Sequence, residues 1–564
     1  MTGIKRLLVP KMLFASLLLS GLLLPMSSFA MVRDTISINQ GWQFHRGDVK
    51  NISELKTTQS GDDVVNLPHD FLIGQDWVAP DASERPDNSD AGSNVRSRLS
   101  SRGFKEMGIG WYRYELTPKD EWRGKRIVLD FQGIMLVDEL YDKWLTQYAG
   151  GRVEWESLWQ KDIPEWVKRD RNHPSVILWS LGNELQQYSN LPFNDWGVTA
   201  YKLQKELLHR YDDTRLTTVA MHPRYRNLET DSIPADLAVA TEVNSYNYRY
   251  MYFPGDMKRY PEKTFYQSEA SVAAMGPNFY EMDRDKVLGL AYWGAIDYLG
   301  ESMGWPVKGW NQGVLDLSLQ PKPDAYFVKS MFSEEPVVHI GIIEKSGGNI
   351  QWNGINVSAG KLSENWNREV GEQVSLYTYT NGDEVELFLN GKSLGVKKNS
   401  NDPKLRARIK WDNIAYAPGT LVAVAKKNGK VVARHQIETT GEAVALKLVP
   451  DAENWHADGK DLMHVRVYAV DKKGRRVLNV KDAKAFDKLT FQVKGDANIV
   501  AVDNGNITSD ELHIGKTQLE KTIQRNLFQG SALVILRAGD KPGKIELSVA
   551  GEKMKAKKLV LNTK

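Results

Sequence analysis

At 564 residues the chain is too long for one hydrophobic core and should divide into three or four domains. Its 74 Lys and Arg against 71 Asp and Glu leave a formal net charge of +3, without the basic excess of a nucleic-acid binder. It has no cysteine, which excludes a disulfide framework, and its ten histidines are scattered without metal-ligand spacing, so neither a metal nor a cofactor is expected.

Lys5, Arg6 and Lys11 precede an apolar run over 12–24, and Ser28-Phe29-Ala30 supplies small residues for cleavage. That is the layout of an export signal over 1–30. The apolar run falls short of the ~20 residues that would span a bilayer. Cleavage after Ala30 then leaves no membrane span, and a bacterial periplasmic or secreted location is expected.

Residues 31–134 read as β-rich, with short strands at Gly41-Trp42-Gln43-Phe44 and from Gly110 to Leu116. Between them, 79–102 is polar, without apolar periodicity, and reads as a surface loop. From Met135 to about Phe332, strand and helix patterns alternate, which implies βα units around a parallel sheet. Candidate strands are 135–137, 176–181, 216–220, 239–244, 264–267 and 290–293. A helix over 194–209 is predicted from Trp196, Val198, Leu203 and Leu207.

Beyond Pro336 the helical pattern stops. Strict alternation over 384–395 closes on Asn390-Gly391, and a second hairpin surrounds Asn428-Gly429. Short strands continue from Ala443 to Val560, including 464–470 and 532–537. Two Ig-like β-sandwiches are expected, 336–440 and 441–564, with the division near 440–443.

The chemistry concentrates in two strands. An Asn-His-Pro turn at 172–174 leads into the apolar run Val176 to Leu181, which stops at Gly182-Asn183-Glu184. The second runs Thr264-Phe265-Tyr266-Gln267-Ser268-Glu269. A carboxylate at the C-terminal end of a buried parallel strand is where barrel enzymes keep catalytic groups, and two such glutamates suit hydrolysis of a glycosidic bond. Strands bring together positions distant in sequence, as this pairing requires.

The stretch 169–184 resembles the acid/base signature of glycoside hydrolase family 2, the β-galactosidase, β-glucuronidase and β-mannosidase group. Gln267-Ser268-Glu269 resembles that family's nucleophile strand, Asn244-Ser245-Tyr246-Asn247-Tyr248 its tyrosine-bearing strand, and 289–301 its last barrel strand. Leu67-Pro68-His69-Asp70 and Gly108-Ile109-Gly110-Trp111-Tyr112 resemble its N-terminal sandwich. Asp503-Asn504-Gly505 is part of a likeness to the C-terminal domains of bacterial β-galactosidases.

The resemblance implies a multidomain α/β plus all-β protein. A partial jelly-roll-like sandwich over 31–134 would precede an incomplete (β/α)8 TIM-type barrel over 135–335 and the two terminal sandwiches. It implies Glu184 as general acid/base and Glu269 as nucleophile of a retaining exo-β-glycosidase, which places the carboxyl groups about 5–5.5 Å apart. It also implies Asn183 on the sugar 2-hydroxyl, Tyr246 hydrogen-bonded to the nucleophile, and Trp293 as an aromatic floor. A core position is the alternative for Tyr246. Asp138-Glu139 matches a family pair that supports the site, and His173 is expected to order its loop rather than bind sugar.

Family β-glucuronidases read the substrate carboxylate with Asn-x-Lys before a glycine. The matching place here is Gly309-Trp310-Asn311-Gln312-Gly313, with no lysine. A β-galactoside is therefore the expected substrate, with β-mannosidase and β-glucuronidase activity as alternatives. A non-catalytic carbohydrate-binding or adhesion protein descended from such an enzyme is the other class, and the oligomeric state is left open.

One departure stands out. Across 130–139, the first half resembles a strand midway through the N-terminal sandwich and the second half resembles the third barrel strand. An internal deletion near 133–135 would join them and remove two barrel strands, together with sugar-binding His, Asn and Arg side chains that have no counterpart here.

Overall fold

A computed structural model describes residues 41–47, 49, 63–65, 69, 71–72, 75–78, 105, 109–115, 117, 135–142, 144, 155–173, 175–185, 192–222, 236–270, 282–344, 349–352, 355–358, 362–478, 488–514, 519–551 and 554–564. The export signal, the loop over 79–102 and the first half of the 130–139 junction lie outside the described residues. The chain falls into two compact units, one of 1–69 with 109–116 and one of everything else.

In the smaller unit, β1 (Trp42–Arg46) pairs antiparallel with both β2 (Asp63–Val65) and β3 (Gly110–Arg113). Phe44 faces Tyr112 across the ladder and is buried, and the Tyr112 hydroxyl donates to the His69 carbonyl at 3.1 Å.

Among the described residues, the larger unit is built on six parallel strands. These are β4 (Leu136–Glu139), β5 (Val176–Asn183), β6 (Thr217–Met221), β7 (Val243–Asn247), β8 (Thr264–Ala270) and β9 (Val287–Tyr292), hydrogen-bonded in chain order. Helices α1 (Trp155–Asp170), α2 (Val198–His209), α3 (Asp236–Ala240) and α4 (Phe253–Arg259) connect β4 through β8. Every residue of β6 and β7 is buried, as a parallel sheet covered on both faces requires.

Helix α1 follows from its spacing. Trp155, Trp159, Ile163, Trp166 and Val167 form one apolar face, with Glu156 in the first turn and Lys168 and Arg169 in the last, matching the helix dipole. Trp166 meets Trp179 of β5 edge-on, with ring centroids 4.7 Å apart.

The strand expected over 239–244 is displaced. Asp236-Leu237-Ala238-Val239-Ala240 is α3, and the strand starts at Val243. Leu237 and Ala238 bury side by side against the core, and the Thr241 amide donates to the Leu237 carbonyl at 3.1 Å, so helical closure overrides the β-propensity of Val239. The other five expected strands are present with shifted ends.

After β9, an antiparallel hairpin of β10 (Tyr298–Gly304) and β11 (Val307–Trp310) leads to α5 (Pro323–Phe332). Two β-sandwiches follow. The first stacks sheets ordered 362–363, 338–343, 373–380, 408–415 and 392–398, 384–389, 420–427, 430–438 over one core holding Trp366, Leu376, Leu387 and Trp411. Asn390-Gly391 and Asn428-Gly429 turn its hairpins with positive φ, which Asn and Gly tolerate best.

The second sandwich stacks sheets ordered 445–450, 462–470, 531–538, 497–503 and 522–526, 488–494, 543–550, 557–563 over a separate core around Trp455, Val467, Phe491 and Leu547. It docks on the segment after β9. Buried Lys308 donates from Nζ to the Thr508 carbonyl at 2.8 Å and from its backbone to Ile507 at 3.1 Å, and Tyr468 donates to Gln320 at 3.0 Å. Gly505, at φ +79°, lies so close to Asp316 that a Cβ would overlap the carboxylate. No described helix is long and apolar enough to cross a membrane.

Candidate active site

The C-terminal ends of the parallel strands form one rim. Strand register sets Asn183 beside Ala220, Met221 beside Tyr246, Asn247 beside Glu269, and Ala270 beside Tyr292. Glu184 and Glu269 therefore leave the same edge of the sheet.

Glu184 is buried and sits at φ +52°, a left-handed conformation costly for a residue with a side chain. Its amide is held by the Ala220 carbonyl at 2.5 Å, and the end of β5 is pinned by Trp144 Nε1 donating to Leu181 O at 2.7 Å. A Cβ on Gly182 would come within 2.8 Å of Leu185 and 3.0 Å of Trp144, so the residue before Asn183 must be small. Glu269 is half-buried; its carbonyl accepts from the Tyr248 amide at 2.8 Å and from Gln267 Nε2 at 2.5 Å.

Asn183 is at the centre of a side-chain chain. Ser268 Oγ donates to Asn247 Oδ1 at 2.6 Å, Asn247 Nδ2 donates to Asn183 Oδ1 at 2.8 Å, and Asn183 Nδ2 donates to Asp142 Oδ1 at 3.1 Å.

Tyr246 is placed differently from its expected role at the nucleophile. Its hydroxyl donates to Asp256 Oδ2 of α4 at 2.8 Å and its ring stacks on Phe253 at 5.4 Å. Strand alternation is the reason. Ser245 and Asn247 face the interior, where they meet Thr218 and Asn183, so Tyr246 points to the helix layer. This is the core position that the sequence left as the alternative.

Trp293 follows β9 at the rim. Its amide donates to Ala270 O at 2.9 Å, its ring meets Tyr298 edge-on at 6.2 Å, and it is 39% exposed. The Asp138-Glu139 pair splits across the sheet. Glu139 accepts from Ser180 Oγ at 2.6 Å, while Asp138 turns to Trp166 and Asp170, and burial raises its carboxyl pKa. Burial, then the charges of Glu139 and Glu269, push up the hydroxyl of Tyr266, within β8. His173 accepts the Ser175 amide at 3.3 Å and orders its loop.

Two further buried residues, to which the sequence assigned no site role, stand at the rim. His222, one residue past β6, meets the Tyr248 ring edge-on at 6.0 Å, and Tyr248 is tied to Glu269 through its amide. The signal was in the sequence: His222 lies two residues past the strand expected over 216–220, and Tyr248 ends the tyrosine-bearing stretch 244–248.

One histidine cluster forms away from the rim. In the first sandwich, ligand atoms of His339, Glu364 and His435 lie within 4.8 Å of one another. The chemistry does not fit a metal site. The Ile340 amide donates to His435 Nδ1 at 3.1 Å, which leaves the hydrogen of a neutral ring on Nε2, the atom a metal would need. Arg476 also adds positive charge at Glu364. The cluster reads as a partly buried polar group where α5 and both sandwiches meet, with Tyr326 stacked on His339 at 3.5 Å.

Comparisons with known proteins agree with this layout. The glycosyl hydrolases family 2 TIM-barrel domain matches residues 130–276, and the glycoside hydrolase family 2 C-terminal domain 5 matches 446–560. A domain of unknown function, DUF4982, matches 371–433. β-Galactosidase BoGH2A of Bacteroides ovatus is 29% identical over 546 residues, covering 82% of this chain and 58% of that protein. A putative β-glucuronidase of Formosa agariphila is 27% identical over 497 residues, covering 79% and 44%. A family 2 member from Bacteroides cellulosilyticus superposes with a TM-score of 0.63 at 28% identity, covering 77% of this chain and 55% of that one. The chain spans about half the length of the curated relatives it matches.

Proposed function

The chain belongs to glycoside hydrolase family 2, and from that membership and its rim geometry we propose a retaining exo-β-glycosidase. The observation that carries the reading is that Glu184 and Glu269 leave one edge of the parallel sheet, from strands β5 and β8. In this mechanism Glu269 attacks the anomeric carbon while Glu184 protonates the departing oxygen. Glu184 then deprotonates the water that releases the sugar. Asn183 would hold the 2-hydroxyl and Trp293 would cover an apolar sugar face. The buried, strained backbone of Glu184 supports the acid role, because it gives the carboxyl a fixed position beside the bond.

The sugar is proposed to be a β-galactoside. Relatives carry both names, β-galactosidase and β-glucuronidase, so the local chemistry must decide. The loop 309–313 has no lysine, and Lys322, which reaches the Asn311 carbonyl at 3.1 Å, is already paired with buried Asp297 at 2.7 Å. A glucuronate carboxylate would lack a free cation on this loop, whereas a neutral hexose needs none. β-Mannosides remain the neutral alternative.

We further infer that turnover is impaired by an internal deletion near 133–135. The alignment to BoGH2A runs over 546 positions yet covers 82% of a 564-residue chain, so the relative carries residues that this chain lacks. Six strands in sequence order, with β4 and β9 at the edges of the described sheet, favour a second reading as a carbohydrate-binding or adhesion protein. Export to the periplasm or beyond, the Ig-like and jelly-roll-like character of the β-domains, and the domain limits 31–134, 135–335, 336–440 and 441–564 belong to the same proposal.

Assay of the purified chain on nitrophenyl β-galactoside, β-glucuronide and β-mannoside tests it. Measurable hydrolysis confined to the galactoside is expected. Saccharide binding without hydrolysis would favour the second reading.

A further inference from the structure

We propose that Ser268, Asn247 and Asp142 are positioning residues that lock the Asn183 amide in one orientation and so decide which substituent the sugar presents beside Glu184. The inference rests on the glycosidase reading above and deepens it.

Hydrogen-bond direction carries the argument. Asn247 Oδ1 is an acceptor only, so the Ser268 hydroxyl must donate to it at 2.6 Å. Asn247 then offers its amide hydrogens from Nδ2, and Asn183 receives one at Oδ1 over 2.8 Å. Asn183 is left with Nδ2 to donate, and Asp142 Oδ1 accepts it at 3.1 Å. Asp142 is held in turn, because its backbone carbonyl takes the Asn183 amide at 2.9 Å. Flipping the Asn183 side chain would set NH2 against NH2 and carbonyl against carboxylate, exchanging two attractions for two repulsions. The network therefore fixes a side chain whose ends are otherwise nearly isosteric.

The chain of bonds also links the two reacting strands. Ser268 directly precedes Glu269 on β8, Asn183 directly precedes Glu184 at the end of β5, and Asn247 of β7 bridges them. A sugar substituent next to Asn183 meets an N–H donor with the exposed Asp142 carboxylate beside it. Only a group that both accepts and donates satisfies that pair, which selects a hydroxyl over hydrogen or fluorine at the same ring carbon.

The test compares dinitrophenyl β-galactoside with its 2-deoxy counterpart on the full chain and on Asn247→Asp, Ser268→Ala and Ser268→Thr. Asp at 247 keeps the shape but cannot donate to Asn183. It should lower kcat/KM on the galactoside by on the order of 10- to 100-fold while changing the 2-deoxy substrate by less than about threefold. Ser268→Ala should move the same way, and Ser268→Thr, which keeps the hydroxyl, should restore the parent ratio. Equal losses on both substrates would reduce these residues to scaffolding and overturn the proposal.

A double-mutant cycle on thermal unfolding decides the relay without turnover. Asn183→Ala and Ser268→Ala, both bonded to Asn247, should destabilise non-additively. Strict additivity would overturn the relay even in an active chain. A parent silent on every glycoside but showing coupling would overturn the glycosidase reading alone.

Discussion

The separate roles proposed for Glu184 and Glu269 predict separate mutational signatures. Glu269→Gln should remove any turnover, since an amide in that place cannot form the glycosyl intermediate. Glu184→Ala should spare dinitrophenyl glycosides, whose leaving group needs little protonation, and suppress poorer leaving groups by roughly 100-fold or more. Steady-state rates across a leaving-group series check this, and equal loss throughout would remove Glu184 from the acid role. Tyr246 makes the opposite case. Its hydroxyl serves Asp256, so Tyr246→Phe should cost about 1 kcal/mol of stability with kcat unchanged. A large fall in kcat at unchanged melting temperature would return Tyr246 to the nucleophile.

At the scale of elements, the junction of α5 and the two sandwiches should be acid-sensitive. Burial, reinforced by His339, pushes His435 down from 6.5 to about 4 against the pull of Glu364. Burial alone would raise the Glu364 carboxyl, but the His339 hydrogen bond and the charges of His339, His435 and Arg476 hold it low. Between those His435 values an unfolded chain binds a proton that the folded chain refuses. Stability is then complete above about pH 6.5 and declines as pH falls toward 4, by about 2 kcal/mol between pH 7 and pH 5. Glu364 adds loss at still lower pH, because its folded carboxyl must be protonated. Urea unfolding at the two pH values measures the effect, and His435→Gln should flatten it. An unchanged slope in that variant would place the acid sensitivity elsewhere.

For the whole molecule, the outcome turns on whether the six described parallel strands can hold a sugar. A sheet that does not close leaves backbone donors and acceptors at its edges and gives the pocket no opposite wall. A displacement of about 1 Å at reacting groups can cost on the order of 100-fold in rate, so β-galactosidase turnover well below 1 per second is expected. A rate in the ordinary enzymatic range, roughly 1–1000 per second, would show that six strands rebuild a working site. The terminal sandwich has its own core, centred on Phe491, Val467 and Leu547, so a fragment over 441–564 should unfold cooperatively by itself. A fragment without a sigmoidal transition would mean that docking through Lys308 and Tyr468 is required for folding.

Local chemistry makes much of this protein legible in its sequence. Strand ends at Glu184 and Glu269, the Asn-Gly turns at 390 and 428, and the switch from helical to alternating pattern after Pro336 are each set by nearby residues and their dihedral or burial preferences. Other features depend on which face a side chain takes or on contacts across the chain, and only the tertiary structure decided them. Tyr246 turned to Asp256 because Ser245 and Asn247 took the interior face. Residues 236–240 became α3 because packing against the core outweighed the preference of Val239. Scattered histidines at 339 and 435 met at Glu364 because the two stacked sheets of the first sandwich bring strands 338–343 and 430–438 together. The relay from Ser268 to Asp142 spans three strands and a loop, so its direction exists only once the sheet has formed. Local sequence sets what a residue can donate or bury, and the fold sets what it meets.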